Sequence, residues 1–191
     1  MRLALVIALG GLTLAGGTLA QEAGDPEAGR KVANMCRTCH GLDGYAKIPI
    51  APHIGGEQAG YIVHQLTAFR SGERQHEMMS VVAGGLSDTQ IADVAAWYAS
   101  HTAVATLNAD PAGAPEGCVD CHGADGIAVF PDAPNLAGET NIYIVTQLKA
   151  FRTGKRTHEI MSDIASGLTD DEMRAAGDWY AAVMLDIRKD N

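Results

Sequence analysis

The sequence predicts an all-α protein that consists of two like-folded domains in tandem. The main observation is an internal repeat with a fixed offset of 82 residues, which aligns Cys36 with Cys118 and Trp97 with Trp179 without a gap. About half of the aligned residues are identical, which indicates the duplication of one folding unit. Apolar residues recur at helical spacing in both copies, and no segment shows the alternation that is typical of a β-strand.

The helices of the first copy have recognisable start and stop signals. Asp25, followed by proline, is suited to be the N-cap of a first helix. A helix over 61–70 is expected to end at Gly72, because glycine readily adopts the left-handed conformation of a helix C-terminus. Ser87 and Gln90 form a capping box for a later helix, and the second copy repeats this signal.

The two copies differ where they begin. Asp25 precedes Cys36 by eleven residues, whereas Asp110 precedes Cys118 by eight, and the second stretch contains two prolines. We therefore expect a shortened first helix in the second domain. The predicted organisation is a signal peptide (1–20), a first domain (21–100), a linker (101–113) and a second domain (114–191).

The N-terminus has the layout of a secretory signal peptide. Arg2 provides a positive start, an apolar stretch covers 3–14, and small residues precede a cleavage point after Ala20. An uncleaved membrane anchor is the alternative, although the apolar run is short and interrupted by glycines. Export predicts a protein of the bacterial periplasm that is soluble or peripherally associated with a membrane.

Residues 36–40 and 118–122 both have the pattern C-x-x-C-H. This is the attachment signature of c-type haem: two thiols on one helical turn can add to both vinyl groups of a porphyrin, and the next histidine can bind the iron. A zinc site would need further ligands, and these motifs already contain all four cysteines. We predict no disulfide and two haem c groups, held by Cys36, Cys39, Cys118 and Cys121, with His40 and His122 as iron ligands.

An electron-transfer haem with six ligands needs a second axial donor, usually methionine or histidine. The repeat pairs Met79 with Met161, each 39 residues after its haem histidine, whereas Met78 aligns with Ile160. Met79 and Met161 are therefore the predicted sixth ligands.

The other paired candidates are His76 and His158, which would make bis-histidine haems of lower potential. They remain the alternative to the methionines. His53, His64 and His101 have no histidine at the equivalent position of the other copy, and we expect them to be surface residues.

Both copies share the patterns C-x-x-C-H-G-x-D-G and Y-x-x-x-Q-L-x-x-F-R-x-G-x-R, followed by Met, L-[ST]-D and W-Y. In these motifs the chain resembles cytochrome c4, a family of di-haem class I cytochromes c. The resemblance implies two tandem class I cytochrome c domains that face each other about a pseudo-twofold axis. It also implies that the carbonyls of Pro52 and Pro134 accept hydrogen bonds from the Nδ1–H of the haem histidines. The two-domain plan is likewise similar to the cytochrome subunits of flavocytochrome c sulfide dehydrogenases.

Arg74 and Arg156 are paired by the repeat and follow the middle helix of each copy. A guanidinium matches a haem propionate in a bidentate way, so both are candidate cofactor-binding residues. A basic helix C-terminus that balances the helix dipole is the other interpretation, and both stay open.

These features favour one-electron transfer between redox proteins. Two irons with six ligands leave no position for a substrate, and the paired methionines disfavour a di-haem peroxidase. The expected role is a carrier between a quinol-oxidising complex or dehydrogenase and a terminal oxidase or reductase. The alternative is a cytochrome subunit of a periplasmic dehydrogenase. A net charge of −9 excludes nucleic acid as a partner and suits basic patches on redox proteins.

Overall fold

The computed structural model describes residues 24–189, so the predicted signal peptide lies outside the described residues. In chain order the elements are α1 (Pro26–His40), α2 (Ala59–Ser71), α3 (Glu77–Gly84), α4 (Asp88–Ala99), β1 (His101–Thr106), a 3₁₀ turn (Pro111–Gly113), α5 (Val119–His122), α6 (Asn141–Arg152), α7 (Glu159–Gly167), α8 (Asp170–Ala181) and β2 (Met184–Lys189). Helices dominate, as predicted. Within residues 24–189, no helix is both long enough and apolar enough to span a bilayer.

The first domain is built on the crossing of α1 and α4. Asp25 caps α1, because its carboxylate accepts the N–H of Glu27 at 2.8 Å. The helices approach so closely at Gly29 that a Cβ there would lie 1.9 Å from the carbonyl oxygen of Asp93. The buried core around this crossing consists of Ala33, Ile62, Val94, Ala95, Trp97 and Tyr98.

The second domain packs α6 against α8 and has only a remnant of the first helix. The expected shortening is confirmed, since α5 has 4 residues where α1 has 15. The 3₁₀ turn occupies the place of the missing helix, and its Gly113 lies against the ring of Trp179. The core of this domain includes Ile144, Leu148, Phe151, Met173, Trp179 and Tyr180.

The expectation that the chain contains no strand is wrong. β1 lies in the predicted linker and pairs antiparallel with β2, from His101↔Lys189 to Thr106↔Met184. The strands follow α4 and α8, so they occupy equivalent places in the repeat. The offset of 82 converts the pair Ala103↔Ile187 into the pair Leu185↔Ala105. Each copy supplies one strand, and a single strand has no partner until the copies meet.

The domains also meet through the loops that follow the haem motifs, 41–58 and 123–140. His53 Nε2 lies 3.1 Å from the carbonyl oxygen of Gly138, and Asn135 Nδ2 donates to the carbonyl oxygen of Gly56 at 3.2 Å. These contacts are equivalent under the repeat, as a pseudo-twofold arrangement requires. The exact domain boundaries stay predictions.

Candidate haem-binding cavity

A cavity of about 1010 Å³ lies between the domains and receives the predicted ligands of both. The lining residues that the sequence predicted for the two sites are Cys36, Cys39, His40, Pro52, Arg74, Met79, Cys118, Cys121, His122, Pro134, Arg156 and Met161. The fold thus brings the two predicted sites to one shared space.

The haem-motif histidines are the last residues of α1 and α5. His40 Nδ1 lies 3.0 Å from the carbonyl oxygen of Pro52, and His122 Nδ1 lies 2.8 Å from that of Pro134. A carbonyl only accepts, so Nδ1 carries the proton and Nε2 keeps its lone pair for a metal. Burial lowers the pKa of both imidazoles, which favours the neutral form that binds iron. The implied hydrogen bonds are present, and their role in holding haem stays a prediction.

Met79 and Met161 lie in the first turns of α3 and α7. The rival histidines cap the same helices: Nδ1 of His76 accepts the N–H of Met79 at 3.3 Å, and Nδ1 of His158 accepts the N–H of Met161 at 3.3 Å. Both histidines therefore have a local role beside the methionines. This arrangement favours the methionines as sixth ligands, and the assignment stays a prediction.

The residues next to the two methionines differ. Met78 is 65% exposed, and Ile160, its counterpart, is 56% exposed. Both line the cavity. Only the first domain therefore has a second thioether beside the predicted ligand.

The chemistry of the donor set fits haem c. The predicted haem-binding residues of each domain bring two free thiols, an imidazole and a thioether to the cavity. Burial raises the pKa of the Cys36 and Cys118 thiols, as expected for side chains that face an apolar space.

Arg74 and Arg156 are buried between the domains. Arg74 donates to Oε1 of Gln65 and of Gln147, both at 2.6 Å. Arg156 donates to the same two oxygens and to the hydroxyl of Tyr61, all at 3.0 Å. Among residues 24–189, neither guanidinium has a carboxylate partner, and a haem propionate would supply that charge. The side chains bridge the domains instead of capping a helix, which favours the propionate interpretation.

Sequence reasoning missed two carboxyl groups in the cavity. Glu57 and Glu139 are buried, and each accepts a backbone N–H from the opposite domain. Burial raises the pKa of Glu57 to about 8 and that of Glu139 well above its usual range. The signal was present as the dipeptide Gly-Glu, which is repeated at the offset of 82.

Three histidines have no histidine at the equivalent position of the other copy, and two of them are not surface residues. His101 is buried and its Nδ1 lies 3.0 Å from the carbonyl oxygen of Trp97, because β1 carries it back against α4. His53 is half-buried at the domain interface. Only His64 is exposed, as expected.

Comparison with known proteins finds relatives along most of the chain. Cytochrome c4 of Pseudomonas aeruginosa is 32% identical over 184 residues, which covers 86% of this chain and 91% of the relative. A thiosulfate dehydrogenase electron acceptor of Stutzerimonas stutzeri is 34% identical over 172 residues, or 79% of this chain and 80% of the relative. The crystal structure of reduced cytochrome c4 from Pseudomonas stutzeri aligns with a TM-score of 0.74 at 28% identity and covers 85% of this chain and 100% of that structure. No protein-family model matches the chain.

Proposed function

Because the chain belongs to the cytochrome c4 family and is an electron-transfer protein with two haem c groups, we propose that it carries single electrons in the periplasm. The proposed route runs from a quinol-oxidising complex to a terminal oxidase or reductase. The observation that supports this role best is the shared cavity, which receives a thioether and an imidazole from each domain. If these groups bind both irons as sixth and fifth ligands, electron transfer would be the chemistry available there.

The protein residues prepare each site for a change of charge without a change of ligands. Bound haem supplies an iron that alternates between the ferrous and ferric states. The carbonyls of Pro52 and Pro134 hold the proton of the ligand histidines at Nδ1, which orients the rings and keeps them neutral. Arg74 and Arg156 carry buried positive charge that would bind haem propionates.

The axial ligands are tested by spectroscopy of the oxidised holoprotein. We expect the weak long-wavelength band of ferric haem with a thioether ligand, at an intensity that corresponds to two such bonds. Bis-imidazole signals without this band would transfer the assignment to His76 and His158.

A second function is supported by one of the relatives. The Stutzerimonas stutzeri protein is named as the electron acceptor of thiosulfate dehydrogenase, and by analogy this chain would accept electrons directly from a periplasmic dehydrogenase. Purification from the native periplasm and membrane, with identification of bound proteins, separates the two roles. A tightly bound catalytic subunit would contradict the free carrier, whereas rapid reduction by the quinol-oxidising complex alone would support it.

A further inference from the structure

In each domain, the haem-motif histidine is connected to a buried carboxyl group of the other domain through a single peptide group. In the first domain, His40 Nδ1–H donates to the carbonyl of Pro52 at 3.0 Å. The N–H of that same peptide group belongs to His53 and donates to Glu139 Oε1 at 2.7 Å. A carboxyl group of the second domain thus lies two hydrogen bonds away from a predicted iron ligand of the first.

The second domain has the same connection in reverse. His122 Nδ1–H donates to the carbonyl of Pro134 at 2.8 Å, and the N–H of Asn135 donates to Glu57 Oε1 at 2.9 Å. The repeat relates every partner except the side chains of His53 and Asn135, whose backbones take the same part. Two independent occurrences show that the geometry belongs to the fold of each copy.

The fold holds both carboxyl groups in place. Gly56 and Gly138 precede them with φ of 78° and 71°. Each glycine lies so close to the two-stranded sheet that a Cβ would meet Ala103 N at 2.5 Å or Leu185 Cβ at 2.8 Å. The sheet therefore fixes the direction in which each glutamate enters the interface. Glu57 is 4% exposed and Glu139 is 2% exposed.

Hydrogen bonds in series polarise one another in a region of low dielectric. An acceptor on the N–H of a peptide group makes its carbonyl a stronger acceptor, and an ionised carboxylate does this more strongly than a neutral group. The ligand imidazole then becomes more electron-rich, which stabilises ferric iron and lowers the reduction potential.

We propose that Glu57 and Glu139 are positioning residues that act across the domain interface. Each sets the strength of the hydrogen bond that the iron-ligand histidine of the other domain donates, and thereby the reduction potential of that haem. The proposal rests on the proposed role of His40 and His122 as ligands. It makes the potential of each haem depend on a residue of the other half of the chain. The two halves are thereby adjusted to each other without direct contact between their irons.

The effect depends on pH, because only the ionised carboxylate polarises strongly. Burial raises the pKa of Glu57 to about 8, so its charge appears at mildly alkaline pH, and burial also raises the pKa of Glu139 well above its usual range. The potential of the opposite haem therefore falls as pH rises through the pKa. The titratable groups that interact with the pair are Tyr61, beside Glu57, and His53, whose N–H binds Glu139, together with the two carboxyl groups themselves. Tyr61 in turn interacts with Tyr143, Arg74 and Arg156.

The test is a haem-resolved redox titration of the holoprotein at several pH values on both sides of the Glu57 pKa. The variant Glu57→Gln keeps size and an accepting oxygen but removes the charge. We expect it to abolish the alkaline fall in potential of the haem bound by His122. The haem bound by His40 should keep its own fall, moved to lower pH, because the charge of Glu57 raises the pKa of Glu139. Glu139→Gln should have the reciprocal effect, on the haem bound by His40.

The matched control is Asp93→Asn. Asp93 is also a buried carboxylate that accepts one backbone N–H, from Asp25 at 2.8 Å, and that peptide group has no bond to an iron ligand. The Asp93→Asn variant should leave the pH dependence of both reduction potentials unchanged. An equal shift in the reduction potentials of both haems in Glu57→Gln would indicate a simple Coulomb interaction and overturn the proposal. A larger effect on the haem of the variant's own domain, or unaltered profiles, would do so as well.

The wild-type protein provides a second measurement that does not depend on folding of a variant. In the ferrous state, the Nδ1–H resonance of His122 should shift with the ionisation of Glu57, and a resonance that stays constant through that ionisation contradicts the connection. If the thioether band is normal but neither reduction potential changes with pH, this inference is refuted and the proposed ligands are not. Loss of that band would refute the methionine ligands and leave the histidine resonances as the test of the connection.

Discussion

The two domains share a core tryptophan but cover it with different parts of the chain. In the first domain, α1 packs along α4, and Trp97 Nε1 donates to the carbonyl oxygen of Leu42, in the loop after the haem motif, at 2.8 Å. In the second domain, Trp179 Nε1 donates to Asp110, which precedes the haem motif, at 3.0 Å. A buried indole needs apolar cover and one acceptor, and either segment can supply the acceptor. A full helix is therefore not required to complete this haem domain.

The largest expected difference between the domains is the response to loss of the sixth ligand. Met161→Ala leaves Ile160 as the neighbour, which has no donor atom, so the second iron should open, bind carbon monoxide when reduced and fall in potential. Met79→Ala leaves Met78 one residue away, so the first site should show a mixed, partly rescued population. Carbon monoxide binding to the reduced proteins measures both. The thioethers keep haem attached in either case. A second iron that remained closed to carbon monoxide would contradict the assignment of Met161.

The second comparison concerns the close approach of α1 and α4. Gly29→Ala places a Cβ 1.9 Å from the Asp93 carbonyl oxygen, and overpacking of this kind costs about 3 kcal/mol of unfolding free energy. Gly113→Ala is the matched control, because its Cβ would meet nothing closer than Trp179 Cδ1 at 3.6 Å. We expect it to cost about 0.5 kcal/mol or less. Denaturant unfolding of the holoprotein measures both, and equal losses would show that α1 carries no special packing.

Helix capping gives a smaller difference. Asp25 caps the 15 residues of α1, whereas Asp110 caps a turn of three residues. Asp25→Ala should cost about 1 kcal/mol of unfolding free energy, and Asp110→Ala about 0.5 kcal/mol, since less helix depends on it. The same unfolding experiment applies. A larger effect of Asp110→Ala would mean that the turn has a structural role beyond its cap.

The smallest effect concerns the wild-type potentials. The predicted ligand sets are equivalent, but the shortened first helix should change how the second haem is covered, and solvent access affects potential. We expect two resolvable one-electron waves in a redox titration. A single wave with indistinguishable midpoints would show that the difference in cover does not reach the irons.

The sequence could predict the features that are local or repeated. The capping residues Asp25, Ser87 and Thr169 act as expected, because each forms hydrogen bonds within one turn of its own helix. The offset of 82 also predicted which residues of the two halves are equivalent. The helical class followed from periodicity, which depends only on neighbouring residues.

Two of the missing features depend on contact between the two halves, and the third depends on a turn within the first half. The β1–β2 pair needs one strand from each domain, so neither copy reveals it alone. The burial of Glu57 and Glu139 arises only when the loops of the two domains meet. His101 is buried because β1 turns back against α4, which a pattern along the chain does not contain.

The two-stranded sheet has the symmetry of a contact between identical molecules. Its register is unchanged when the two halves are exchanged, since the offset converts one strand pair into another. In a homodimer with twofold symmetry, the same patch on each subunit meets itself in this way. Two separate single-haem chains could therefore use the same pairing, and fusion would add only the connection between Thr106 and Cys118. The two-stranded sheet is thus an interface that a dimer of small cytochromes could keep unchanged on becoming one chain.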